Sequence, residues 1–205
     1  MAEFLVSPVV STFKGKGGFS ETHYLSLGPI GMHGHIEANK LVIEADVLLA
    51  TGARFSDRSV GKWDEFGNEM KIIHADIDPS EIGKNKKADI GLIGDIKNTL
   101  ALLLSAMDNK AKKSSSEYAW IKRVNEIKDI WRSKPLPAPR EITGPRLMKK
   151  MREILPNKCL VTTEVGQHQM WASLHFDVAE PGTFYTSTGL GTMGWGLPAA
   201  VGAKF

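Results

Sequence analysis

Three loops in the first eighty residues carry glycine, arginine and aspartate in positions that suit a bound nucleotide. The first loop spans residues 28–34, Gly-Pro-Ile-Gly-Met-His-Gly, and leads into an expected helix. Glycine allows the backbone to approach a ligand, and a helix N-terminus offers free N–H groups and the positive end of a dipole. This combination suits a pyrophosphate. Because the spacing is not Gly-x-Gly-x-x-Gly, a plain structural turn is an equally good interpretation.

The other two loops follow consecutive expected strands. Residues 52–58, Gly-Ala-Arg-Phe-Ser-Asp-Arg, hold two arginines that suit a phosphate or a planar ring. Asp76 follows the next strand, where an acidic residue commonly accepts hydrogen bonds from ribose hydroxyls. A solvated Arg–Asp loop and an Asx turn before Pro79 are the alternatives. Together, three neighbouring strand ends of this kind predict a dinucleotide site at the carboxyl edge of a parallel sheet.

A second group of candidate residues lies in the last forty-two positions. Residues 164–171, Glu-Val-Gly-Gln-His-Gln-Met-Trp, follow an expected strand and begin a helix. His168 suits general acid/base work or hydrogen bonding to a carbonyl or phosphate, and a surface or capping role is its alternative. Residues 189–196 then contain four glycines, which favours close backbone packing or ligand approach over a simple strand-to-helix turn.

Short β-rich runs alternate with helical periodicity, which predicts an α/β fold with a parallel sheet flanked by helices. Strands are expected at residues 47–52, 71–79, 88–95, 158–166 and 184–187. Helices are expected at residues 35–45, 96–107, 167–174 and 194–204, from Thr143 onward, and around the apolar positions Trp120, Val124, Ile127 and Trp131. Asp95 is expected to cap the helix at 96–107.

The middle of the chain has the composition of a domain boundary. Residues 109–116 are polar and basic, and residues 134–139 place proline at every second position. Such a proline run cannot continue a helix or join a central strand, so it predicts a stiff linker. We expect one domain at residues 1–110, a helix and linker at 111–140, and the beginning of a second domain at 141–205.

Composition excludes several classes of function. Lys+Arg 26 against Asp+Glu 23 gives a net charge of +3, too small to predict a nucleic-acid or membrane surface. No run of eighteen apolar residues and no signal peptide is visible, so we expect a cytoplasmic protein. The single Cys159 excludes a disulfide framework and is expected to be a buried strand residue. The histidines outside the loops show no metal-ligand spacing, so no metal site is predicted.

Six stretches, taken in order, resemble one known family. They are residues 14–19, 26–34, 52–58, 76–79 with 82–85, 165–171 and 189–200. In this combination the chain resembles the large, catalytic subunit of acetolactate synthases, which are thiamine-diphosphate enzymes. The resemblance implies a Rossmann-like, FAD-binding middle domain that lacks its opening element, followed by the first part of the diphosphate-binding domain. It implies decarboxylation of pyruvate and condensation with a second 2-keto acid, in a homo-oligomer with a possible regulatory small subunit.

The resemblance also assigns site residues. Gln167 and His168 are implied to be catalytic. The residues implied to bind FAD are Gly31, Met32, His33, Gly34, Gly52, Ala53, Arg54, Arg58, Asp76 and Ile77. Those implied to face thiamine diphosphate are Gly166, Gln167, His168, Gly191 and Met193. The Mg²⁺ ligands of the family are expected outside this chain.

Departures from the family pattern limit what the chain is expected to do by itself. Ser56 and Glu164 stand where the family usually has aspartate. The family's pyrimidine domain, its activating glutamate and its Gly-Asp-Gly motif are not found, so we expect a fragment without synthase activity of its own. The alternatives are a non-catalytic FAD- or nucleotide-binding module, a subunit completed by a separate polypeptide, or a relative such as pyruvate oxidase or glyoxylate carboligase.

Overall fold

Strands and helices alternate along almost all of the chain. A computed structural model describes residues 1–107, 116–133 and 142–205. The strands are β1 (Val9–Ser11), β2 (Ser26–Pro29), β3 (Val47–Thr51), β4 (Lys71–Asp76), β5 (Ile90–Ile93), β6 (Val161–Thr163) and β7 (Phe184–Thr186). The helices are α1 (Ala2–Leu5), α2 (Ile36–Ile43), α3 (Asp57–Val60), α4 (Ile96–Met107), α5 (Ser116–Ser133), α6 (Gly144–Ile154), α7 (Gln167–His175) and α8 (Gly196–Gly202).

All strand pairs in the described residues are parallel. Strand β1 pairs with β2. Strands β3, β4 and β5 form a separate three-stranded sheet in that order, and β6 pairs with β7. This confirms the predicted α/β class. The first glycine loop follows β2, however, and β2 does not belong to the sheet of β3 and β4. The expectation of three strand ends side by side in one sheet was therefore wrong for the first loop, because β2 makes its hydrogen bonds to β1 instead.

The central position of β4 explains its composition. Ile72, His74 and Ala75 are almost fully buried, whereas Val47 on β3 and Ile90 on β5 are largely exposed. A strand with hydrogen-bonded neighbours on both sides and covered faces favours apolar residues, which Ile72, Ile73 and Ala75 supply, while His74 and Asp76 are buried polar exceptions. The carboxyl end of this buried strand carries Asp76.

Two separate clusters of buried apolar side chains hold the fold together. The larger cluster is built on β2, α2, β3, β4 and α5, and its members include Leu27, Leu41, Ile72, Val124 and Ile127. The smaller cluster lies between α7 and β7 and consists of Ala172, Phe176, Val178 and Phe184. Burying a side chain of this size contributes about 1.5–3 kcal/mol. Each half of the chain therefore has its own core.

Local signals predicted α4 well. The helix spans the predicted residues, and the Asp95 carboxylate accepts a hydrogen bond of 3.0 Å from the Asn98 N–H at its first turn. Thr143 stands at the N-cap position of α6, but its hydroxyl makes no capping bond and is buried without a hydrogen-bond partner among the described residues. The predicted proline linker lies outside the described residues, as does most of the basic stretch before α5.

The prediction for Cys159 was wrong. The strand begins only at Val161, because three residues pair with β7, and Cys159 precedes it in a half-buried position. Its N–H donates to the carbonyl of Pro156 at 3.0 Å, so this residue belongs to a turn. Elsewhere, predicted strand and helix ends differ from the observed ones by a few residues, because the ends of these elements fray where their hydrogen bonding stops.

None of the helices in the described ranges is long and apolar enough to cross a membrane.

Candidate functional site

The glycines of the first loop make room for the chain's own backbone. Gly31 has φ +96°, and a side chain there would overlap the carbonyl oxygen of Arg58. A side chain at Gly34 would overlap the backbone of Ile30. The N–H of Met32 donates to the Arg58 carbonyl at 2.9 Å, so this loop is bound to the second loop. Close packing within the protein is sufficient to explain both glycines.

Asn39 on α2 fixes the shape of this loop and was missed by the sequence analysis. Its Oδ1 accepts a hydrogen bond of 2.7 Å from the Gly31 N–H, and its Nδ2 donates to the Gly31 carbonyl at 3.1 Å. An asparagine in the first turns after a glycine loop is the signal that was available. Met32 remains 66% exposed, so it is accessible to a ligand. His33 lies half-buried against the Phe13 ring, with ring centroids 5.9 Å apart.

The second loop has a backbone that is fixed by hydrogen bonds, and its Arg54 side chain lies 4.0 Å from the Glu81 carboxylate. Gly52 has φ +61° with no atom within 4 Å of where a side chain would begin, so space is open beyond the end of β3. Trp63 donates to the Phe55 carbonyl at 2.7 Å, and Asn85 donates to the Arg54 carbonyl at 2.9 Å. The Arg54 side chain itself is largely exposed. Ala53 lies half-buried beside it.

Asp76 is engaged within the protein. Its Oδ1 accepts a hydrogen bond of 3.0 Å from the Asp78 N–H, and the residue is buried. This is the Asx turn that the sequence left open. Asp78 in turn accepts from the hydroxyl and N–H of Ser80, and these bonds lower the pKa of Asp78. Ile77 projects between them and is exposed.

The structure brings these three loops to one edge. The Arg58 guanidinium lies 4.0 Å from the Met32 sulfur, which joins the first loop to the second. The Gly52 N–H donates to the Ala75 carbonyl at 2.8 Å, which places the second loop next to Asp76. The loops are neighbours, although they come from two sheets.

The second group of candidate residues surrounds the carboxyl end of β6. The Glu164 carboxylate accepts a hydrogen bond of 2.7 Å from the Gly196 N–H, and the Thr162 hydroxyl donates to the Gly196 carbonyl at 2.8 Å. These two bonds hold the first residue of α8 against β6. The imidazole of His168 lies against the Cα of Gly166, where an added side chain would come within 2.7 Å of the ring nitrogen Nδ1.

An open cleft of about 320 Å³ lies at this place. It is lined by Thr162, Thr163, Glu164, His168, Gly196, Leu197 and Ala200. His168 is exposed and lines the cleft, and Gln167 is exposed beside it. A cleft of this volume that carries both a carboxylate and an imidazole is suited to binding a small polar group.

A buried network below the cleft was missed by the sequence analysis. Gln169 is 6% exposed, and its Nε2 donates to the hydroxyls of Thr186 at 2.6 Å and Thr188 at 3.0 Å. The Thr163 hydroxyl donates to the Thr186 hydroxyl at 3.0 Å. Alternating threonines at and just after the end of β7 were the available signal. These bonds join β6, α7 and the beginning of the last glycine loop.

The last glycine loop differs from the first, because its glycines face open space. Gly191 has φ +79° and Gly194 has the same φ, and no atom lies within 3.7 Å of a side chain added at either. Met193 between them is 75% exposed. Left-handed backbone at these positions favours glycine, and the loop surface remains free for a ligand.

The residues at the start of α7 and in the last glycine loop suit a diphosphate-bearing group. Across residues 1–107, 116–133 and 142–205, no three His, Cys, Asp or Glu side chains converge to hold a metal ion. Open backbone at Gly191 and an accessible His168 are instead the kinds of group that bind phosphate oxygens.

Two family models match this chain, one in each half. Residues 1–103 match the family described as "Thiamine pyrophosphate enzyme, central domain". Residues 164–205 match "Thiamine pyrophosphate enzyme, C-terminal TPP binding domain". The cleft at β6 lies in and beside the second matched segment, and the three linked loops lie in the first.

Three similar proteins are each described as the large subunit of an acetolactate synthase. The probable acetolactate synthase large subunit of Methanocaldococcus jannaschii is 46% identical over 213 residues, covering 100% of this chain and 35% of its own length. The large subunit of acetolactate synthase isozyme 2 of Escherichia coli is 41% identical, with 100% and 36% covered. The acetolactate synthase large subunit of Parasynechococcus marenigrum is 43% identical, with 100% and 33% covered. The resemblance found in the sequence is thus confirmed, and the chain spans about a third of these relatives' length.

Proposed function

From the premise that this chain belongs to the thiamine pyrophosphate enzymes, we propose that it is part of the catalytic subunit of an acetolactate synthase. The observation that carries the proposal is the cleft at the end of β6, which is lined by both the Glu164 carboxylate and the His168 imidazole. The proposed reaction removes carbon dioxide from pyruvate and joins the remaining two-carbon unit to a second 2-keto acid. The names of the relatives support these substrates.

The proposed thiamine diphosphate site joins His168, which lines the cleft, to other residues at the start of α7 and in the last glycine loop. We assign Gly166, Gln167, His168, Gly191 and Met193 to it. When bound, the cofactor would supply the electron sink for the pair released by decarboxylation. Met193 is exposed and offers an apolar surface, and Gly191 offers open backbone.

Gln167 and His168 are proposed to act on the reacting substrates. Both side chains are exposed at the first turn of α7, next to the cleft. The Gln167 amide is able to donate a hydrogen bond to a substrate carbonyl or carboxylate oxygen. The His168 imidazole is able to accept or donate a proton or a hydrogen bond at a substrate oxygen. Orientation of two keto acids and delivery of a proton are the contributions that the reaction requires of the protein.

FAD is the second proposed cofactor, and the residues fit it in part. The open space beyond Gly52 and the exposed arginines Arg54 and Arg58 support a flavin nucleotide at this edge. Gly31 and Gly34 are explained by packing, and Asp76 is engaged in an Asx turn. The further residues of the proposed FAD site are Met32, His33, Ala53 and Ile77. We also propose a requirement for Mg²⁺, with ligands outside the described residues.

The domain division and the partners follow from the same proposal. We propose a central domain at residues 1–110, a connection at 111–140 and the diphosphate domain from 141 onward, supported by the two hydrophobic clusters. We further propose that the enzyme is a homo-oligomer that associates with a regulatory small subunit, since the relatives are named large subunits.

The test is a product assay on the natural protein that contains this chain, supplied with thiamine diphosphate, Mg²⁺ and FAD. Acetolactate from pyruvate is the expected product. Acetate with consumption of oxygen, or condensation of glyoxylate in place of pyruvate, would assign the chain to a different enzyme of the family. The absence of any turnover together with retained flavin would favour a non-catalytic nucleotide-binding module.

A matched pair of variants tests the assigned site. His168→Asn is expected to lower kcat at least tenfold, because it removes the imidazole that is proposed to act as acid or base at the cleft. His23→Asn is the control, since His23 contacts Glu3 outside both candidate sites. An equal effect of the two substitutions would contradict the assignment of His168.

A further inference from the structure

A buried ion pair lies in the loop between β1 and β2, far along the chain from the cleft. The Lys16 ammonium and the Glu21 carboxylate are 2.5 Å apart, and their side chains are 2% and 7% exposed. Desolvation of two charges costs several kcal/mol per ion and is offset only with good geometry and further hydrogen bonds. This desolvation acts on Glu21, where burial raises the pKa of the carboxylate although the nearby Lys16 ammonium lowers it.

The further hydrogen bonds come from the other half of the chain. Glu21 Oε2, which contacts Lys16, also accepts a hydrogen bond of 2.7 Å from the Val178 N–H. The Glu21 N–H donates to the Val178 carbonyl at 2.8 Å. The second carboxylate oxygen, Oε1, is buried with no hydrogen-bond partner in the described part of the chain. One oxygen atom thus joins a cation of the first half to the backbone of the second.

Neighbouring contacts make this a docking surface. The Ser20 hydroxyl donates to the Ala179 carbonyl at 2.7 Å, and the Gly182 N–H donates to the Gly17 carbonyl at 2.8 Å. A side chain at Gly17, which has φ +81°, would come within 3.1 Å of the Phe184 Cβ. The two backbones therefore approach as closely as glycine permits.

The docked segment leads directly to the cleft. Residues 178–182 precede β7, which carries Thr186 of the buried Gln169 network. The last glycine loop follows β7. Any shift of residues 178–184 is therefore transmitted to Thr186 and to Gly191, because β7 is only three residues long.

We propose that Glu21 is a positioning residue: its carboxylate docks residues 178–184 onto the loop between β1 and β2, and so holds β7 and the last glycine loop in place. Lys16 neutralises the buried charge. The proposal goes beyond the proposed function, since it applies to whichever reaction the cleft performs. It assigns to the first half of the chain a role in shaping the site of the second half.

Two neutral double variants test the proposal by amide hydrogen exchange on the natural protein without added cofactor or substrate. K16M/E21Q removes both charges and keeps an oxygen that accepts from the Val178 N–H. K16M/E21L removes both charges and the acceptor. The two variants differ only in the hydrogen bond to Val178, so neither contains an uncompensated buried charge.

We expect K16M/E21Q to exchange within about threefold of the unmodified protein at residues 178–191. K16M/E21L is expected to exchange at least tenfold faster there, because it loses a buried hydrogen bond worth about 1.4 kcal/mol. Residues 71–76 of β4 are the internal control and are expected to be unchanged in both.

Three outcomes would overturn the proposal. Equal exchange of the two variants at residues 178–191 would show that the acceptor does not dock the segment. Faster exchange confined to 178–184 would show that β7 and the glycine loop are held independently. Faster exchange throughout, including β4, would show a general loss of stability. Because no cofactor or substrate is present, none of these results depends on which reaction is catalysed.

Discussion

The first and last glycine loops use the same residue for different physical reasons. At Gly31 and Gly34 the space of a side chain is already occupied by the backbone of the protein. At Gly191 and Gly194 that space is open, and the glycines are needed only for a positive φ. One loop is closed by its own packing, and the other leaves its surface free.

This difference shows that a glycine-rich loop does not by itself indicate a ligand site. The first loop is held by Asn39 and by the Arg58 carbonyl, so its shape is complete without a ligand. The last loop is held from below by the Gln169 network, and its upper surface stays exposed. The evidence for ligand binding is therefore stronger for the last loop and for the open Gly52 than for residues 31–34.

The largest expected effect is that of Gly34→Ala. An added methyl group would overlap the backbone of Ile30, so we expect a loss of about 3 kcal/mol in the free energy of unfolding. Chemical denaturation measures this loss. The control is Gly202→Ala on α8, which meets no atom within 4 Å and is expected to be neutral or slightly stabilising. Similar stabilities of the two variants would show that the Ile30 backbone does not close the space at Gly34.

A smaller loss is expected for Gln169→Met, which tests how the last loop is held. The substitution removes the donor to Thr186 and Thr188 in a buried place, at a cost of about 2 kcal/mol. Gln167→Met is the matched control for stability, and its change is expected to stay within about 0.5 kcal/mol because Gln167 is exposed. Thermal unfolding of both proteins gives the measurement. If both variants unfold alike, the network is not what holds the loop.

Gly191→Ala is expected to cost about 1 kcal/mol. The residue has φ +79°, where a side chain is strained, but no atom crowds the added methyl group. The same denaturation experiment as for Gly34→Ala compares the two loops directly. A loss as large as that of Gly34→Ala would show that the last loop is crowded after all.

The smallest effect is expected for Glu44→Gln, which loosens α2 behind the first loop. Arg123 on α5 binds both Glu44 oxygens, at 2.9 and 2.6 Å, and these bonds lower the pKa of Glu44 below its ordinary 4.5. The pair is partly exposed, so its loss at neutral pH is expected to be about 0.5 kcal/mol.

The pH dependence of this pair has a definite sign. Because the pKa is lowered in the folded state, the contribution of Glu44 is present above 4.5 and is lost as the pH falls through the folded value. The stability difference between Glu44→Gln and the unmodified protein is therefore expected to shrink on acidification, and to shrink in 1 M salt at neutral pH. A difference that grows with acid would contradict the assignment.

Much of the fold was accessible from local sequence signals. The apolar spacing of residues 96–107 and the cap at Asp95 predicted α4, and the β-rich run at 47–52 predicted β3 to within one residue. The length of β6 was overestimated, because only the residues that pair with the three-residue strand β7 form the strand. The position of His168 in a strand-end cleft was also predictable from the strand–glycine–helix order.

The sequence by itself determined the order of most strands and helices from residue 35 onward, and through its motifs the family, since periodicity, caps and motifs act over a few residues. The tertiary structure alone decided which glycines are closed by packing and which are open, because this depends on what approaches them from elsewhere. It also decided that Glu21 meets Val178, 157 residues away. Burial turns that contact into a strong constraint, since a charge removed from water requires the partners that only the folded chain supplies.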